Sequence, residues 1–164
     1  MTRVDSISIR LKDPIRRPDL DPPEDPVEGL STLESGLLRF CFDHNRQVSI
    51  TIGDEELDVW LYPDMYSLIP DLTTMRSHLV LAKDVELGFP ERAVNLDLVP
   101  LGDRVSCAVR HFGQAISEKE FVLDTARLIE AVEDFLIKII GLAVEARYIS
   151  PELGHAVIAS CRES

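Results

Sequence analysis

Reactive groupings are scarce in this sequence. Its 164 residues contain three cysteines, Cys41, Cys107 and Cys161, all far apart and none in a CxxC pair. That spacing argues against a zinc clip or a redox dithiol. The eight glycines stand singly, so no glycine-rich loop is present to cradle a phosphate. No GxSxG occurs, and the four histidines, His44, His78, His111 and His155, form no HxH, HxxxH or HExxH pair. Long apolar runs are missing too. The most apolar stretch, Phe135–Val144, is interrupted by Lys138 and is too short to span a bilayer. Met1–Arg10 lacks the apolar run of a signal peptide. The expected setting is therefore the cytoplasm, with reduced thiols.

Cations are also in short supply. Seventeen Lys and Arg against 29 Asp and Glu leave a formal charge of −12. Such a surface repels phosphate backbones and anionic lipid, which argues against nucleic acid and membranes as partners. It attracts basic proteins, and it also serves solubility alone.

What is present reads as one α+β domain over 1–164, with a mainly antiparallel sheet of two hairpin or meander units. A mid-chain helix and two C-terminal helices are expected to pack on it. Val4–Lys12 alternates, with Ile7, Ile9 and Leu11 on one face. Residues 13–28 hold five prolines and six acidic residues, the composition of an extended connector. Leu37–Asp43, Gln47–Ile52 and Glu56–Tyr62 read as a three-stranded meander joined by short polar turns. Pro63 ends the third strand, and Pro70 is expected to split the next segment into a short turn and a helix over Asp71–Ala82 capped by Asp71. Val85–Phe89, Ala93–Leu101 and Arg104–Phe112 add strands, the last two forming a hairpin about Leu101-Gly102-Asp103.

Residues 116–123 fit either a helix starting at Ser117 or an edge strand, and the strand is preferred. Beyond the Asp124 cap, Leu128, Val132, Phe135, Leu136, Ile139 and Ile140 recur at helical steps. Ser150 caps a last helix that opens on Pro151.

No catalytic residue, metal ligand or cofactor site emerges. Cys107 shares a strand face with Val105 and Val109, as a core thiol would, and Cys41 is the more accessible of the two. Asp54, Glu55, Glu56 and Asp58 crowd a hairpin tip without the alternating ligand spacing of a calcium loop. Trp60, Tyr62 and Tyr66 come shortly after. Aromatics beside carboxylates make a contact surface for a basic protein partner. Against this, Trp60 and Tyr62 can simply pack under the mid-chain helix.

The "DVWLYPD" exit at Asp58–Asp64, the "LVPLGDRVSCAVRH" hairpin at Leu98–His111 and the "RYISPE" ending at Arg147–Glu152 carry a resemblance. Across roughly Arg39–Glu152 the chain resembles small bacterial immunity-type proteins of toxin systems. The resemblance implies a stoichiometric inhibitor that covers a cognate toxin, and it assigns no functional residue. Two further readings stay open. One is a structural or regulatory homodimer formed through the 125–147 helix. The other is a small-molecule enzyme with a site assembled across the sheet.

Overall fold

A computed structural model describes residues 3–14 and 29–163, so most of the proline-rich 13–28 stretch lies outside the described residues. The fold is α+β, with seven strands in two antiparallel sheets and four helices among these residues. The first sheet has the order β1 (Ile7–Leu11), β2 (Gln47–Ile52), β3 (Glu55–Trp60). In the second, β4 (Val85–Phe89), β5 (Val94–Leu101), β6 (Arg104–His111) and β7 (Ser117–Asp124) succeed one another as a meander. The ambiguous 116–123 segment is thus a strand, paired with β6 along its length. Among the described residues one isolated parallel β-bridge, Asp5 to Leu123, links the strand edge beside β1 to β7.

The segment expected to open the first meander is a helix. α1 runs over Thr32–Asp43, and β1 takes the place beside β2 that Leu37–Asp43 was expected to fill. Ser31 accepts from the Glu34 N–H at 3.1 Å, and Glu34 Oε1 accepts from the Ser31 N–H at 3.5 Å. This reciprocal cap nucleates α1. Its buried residues Leu37, Phe40 and Cys41 sit at three- and four-residue steps, while Phe42 is left 60% exposed. Cys41 is fully buried, so it is not the accessible thiol the alternation suggested.

The mid-chain helix also departs from expectation. β3 stops at Trp60, and a wide helical turn over Leu61–Met65 leads directly into α2 (Tyr66–Val80). Pro70 lies inside α2 and does not divide it, and Asp71 is an interior residue. Proline removes one rung of the helical ladder. Burial of Leu68 before it and of Leu72, Met75 and Leu79 after it holds the helix together across the gap.

α3 (Thr125–Glu145) is capped by Asp124, which accepts from the Arg127 N–H at 3.2 Å. Its stripe of Leu128, Val132, Phe135, Leu136, Ile139 and Ile140 is buried in the chain's own core. Ile137, Leu142 and Val144 beside that stripe are only half-buried. α4 (Pro151–Glu163) comes after Ser150, whose hydroxyl accepts from the Leu153 N–H. Both sheets and all four helices contribute to one hydrophobic cluster. No described helix is long and apolar enough to cross a membrane.

Candidate protein-contact surface

Gly53, at φ +57°, turns β2 into β3 and carries the acidic tip. The four carboxylates there behave differently. Asp54 is 78% exposed, with Lys119 Nζ 3.7 Å away. Glu55 bends toward the second sheet, where His111 Nε2 lies at 2.7 Å and Lys119 Nζ at 3.6 Å. It is only 18% exposed and serves as a tie between sheets. Glu56 and Asp58 alternate with the buried Leu57 and Val59, so they project from the outer face of the sheet with Trp60. Glu56 accepts from the Ser49 hydroxyl at 3.1 Å, and Asp58 meets Lys12 at 3.0 Å.

The aromatic residues occupy the other end of β3, about 17 Å from the tip at the rise of an extended strand. Trp60 is half-buried, and its N–H donates to Asp64 Oδ2 at 2.8 Å. Asp64 is 3% exposed, with Arg92 Nε 3.4 Å from the same oxygen. Tyr62 is pinned through its backbone. Its N–H donates to Asn45 Oδ1, and its carbonyl accepts from Asn45 Nδ2, both at 2.9 Å. The Tyr62 ring stands between Phe42, 5.4 Å away edge-on, and Tyr66, 6.1 Å away.

Tyr62 and Tyr66 are therefore brought together, with the exposed Phe42 of α1 as a third member. Reading Ser31 and Glu34 as a capping box would have placed Phe42 on a helix and exposed it. Tyr62 packs against α1 and the start of α2 instead of lying beneath α2. The carboxylates and the Phe42–Tyr62–Tyr66 ridge form two surfaces, with Trp60 on the face of Glu56 and Asp58.

Two hollows flank these features. One is an apolar pocket of about 260 Å³ among the helices, lined by Leu33, Leu37, Tyr66, Ile69, Leu136 and Val157. The other is an open groove of about 640 Å³. Val4–Ile9 form one wall of it, and Arg127, Glu130, Ala131 and Asp134 of α3 form the other. An Arg104–Asp124 ion pair at 2.7 Å closes its head.

Two of the three thiols are held in their protonated form. Burial pushes the Cys41 thiol up to about 12, and burial, then Asp97, does the same to Cys107. Thiols held protonated in this way are poor nucleophiles. His44 stacks on Phe40 and meets Tyr148 edge-on. Among the described residues no three His, Cys, Asp or Glu side chains gather as metal ligands would. No known protein family, curated protein or solved structure matches the chain.

Proposed function

We propose that this protein is a non-enzymatic binding domain that engages a basic protein partner, in the manner of an immunity-type inhibitor covering its toxin. The observation that carries this reading is the placement of Asp54, Glu56 and Asp58. All three project from one hairpin whose ladder to β2 is continuous from Trp60 to Glu55. Carboxylates on a rigid strand need no ordering when a partner arrives, which preserves affinity. In a chain of net charge −12 they also steer a cationic surface toward the hairpin. Trp60 shares the face of Glu56 and Asp58 and supplies an aromatic anchor at its far end.

Affinity capture from the source cells tests the proposal. Wild-type chain and the D54K/E56K/D58K variant are compared at low and moderate salt, with bound proteins identified by mass. The expected result is one basic protein in stoichiometric amount, weakened by salt and lost with the variant. Equal recovery by the variant, or no basic protein at either salt, overturns it.

A further inference from the structure

The outer edge of β1 is an unfilled position in the sheet. The Gly53 N–H donates to the Ser6 carbonyl at 2.8 Å, and the Lys12 N–H donates to the Gln47 carbonyl at 2.9 Å. Even-numbered residues of β1 therefore direct their backbone groups at β2. Antiparallel geometry then turns the N–H and C=O groups of Ile7 and Ile9 outward. At Asp5 the outward N–H is taken up by the Val122 carbonyl at 2.7 Å. One residue past the Leu123 bridge, β7 ends at Asp124 and the chain departs into α3. The lane that a longer β7 would have filled is left open beside Ile7 and Ile9. Among the described residues no backbone hydrogen bond beyond the β1–β2 ladder reaches those two residues. The 640 Å³ groove lies along this lane.

A bare strand edge is ordinarily shielded, and an edge bordering a groove is the geometry by which sheets accept an added strand. The far wall says what such a strand must carry. Glu130 and Asp134 lie one helical turn apart on α3, are exposed, have no ion-pair partner among the described residues, and outnumber Arg127 on that wall. Ala131 between them leaves room above the helix. Arg104, at the head of the groove, is already neutralised by Asp124. An added strand sends every second side chain toward α3, so a lysine or arginine there meets Glu130 and Asp134. We infer that the lane beside Ile7 and Ile9 is a strand-addition site for an extended, basic segment of a partner protein. This surface is separate from the β2–β3 hairpin and stands without it.

The test pans a random nine-residue peptide display library against the full chain. The most enriched peptide is then synthesised and located by amide chemical shifts and hydrogen exchange. Enriched sequences are expected to carry lysine or arginine at alternate positions, and the bound peptide to shift and protect the Ile7 and Ile9 amides. Charge reversal on the exposed helix wall, E130K/D134K, should weaken that peptide by about tenfold. The single charge reversal Glu152→Lys, on α4 and outside the lining of the groove, should leave its affinity within about twofold. The inference is overturned if no sequence is enriched, or if the peptide maps to the helical pocket or the hairpin instead. It is equally overturned if Ile7 and Ile9 become protected without peptide as concentration rises, because the occupant is then a second copy of the chain.

Discussion

Gly36 of α1 lies directly beneath the Tyr148 carbonyl, where a Cβ would collide with that oxygen and press on the Ile149 side chain. Both obstacles belong to the connection between α3 and α4, a buried backbone segment that cannot swing aside. Gly36→Ala should therefore destabilise the chain by about 1–3 kcal/mol despite alanine's better helix propensity. Gly141, in α3 with open space around its Cβ position, is the control. Gly141→Ala should stabilise by about 0.5–1 kcal/mol. Urea denaturation of the two variants measures both signs.

The buried thiols give the protein a specific alkaline limit. Cys41 and Cys107 titrate near 9 when unfolded and near 12 when folded, because burial disfavours the thiolate. A folded pKa above the unfolded one means that the native state holds the proton longer. Stability is thus fully present below pH 9 and declines as pH rises toward 12. Each thiol contributes a slope of about 1.4 kcal/mol per pH unit in that window. Unfolding free energies at pH 8, 9 and 10 should fall less steeply in a C41A/C107A variant than in wild type. An identical slope would remove the thiols as its cause.

Asp5 and Val122 exchange two hydrogen bonds. The Asp5 N–H reaches the Val122 carbonyl at 2.7 Å, and Asp5 Oδ2 accepts from the Val122 N–H at 3.0 Å. Asp5→Ala strands a half-buried N–H and should cost about 1–2 kcal/mol. Asp5→Asn keeps an acceptor and should recover more than half of that loss. Thermal melts of the pair separate the hydrogen bond from the charge.

Long, regular elements were legible in the sequence. The α3 stripe, the Asp124 and Ser150 caps and the Leu101-Gly102-Asp103 hairpin stand where periodicity and turn chemistry put them, with Gly102 at φ +68°. Short elements were not. Over Leu37–Asp43, alternation through Leu38, Phe40 and Phe42 competes with helical spacing through Leu37, Phe40 and Cys41. Seven residues are too few to separate the two periods. Only the cap at Ser31 and Glu34 breaks the tie. Pro70 misled because a local rule was outweighed by tertiary burial on both sides of it. At the candidate surface, the acidic tip was legible but the fate of Glu55 was not. Its partners His111 and Lys119 belong to strands of the other sheet, and no local pattern encodes that meeting. The lane beside β1 is less visible still, because it exists only where one strand ends and its neighbour continues.

The contact between Asp5 and Val122 spans 117 positions. On a ribosome, β1 emerges well before β2 and far ahead of β7, so its edge stays unmatched through most of translation. Closing a contact over such a distance costs loop entropy that the local β4–β7 hairpins do not incur, so it is expected to form after them. The nascent polypeptide is correspondingly the stage at which a chaperone, or a neighbouring chain in a polysome, has the longest opportunity to capture it.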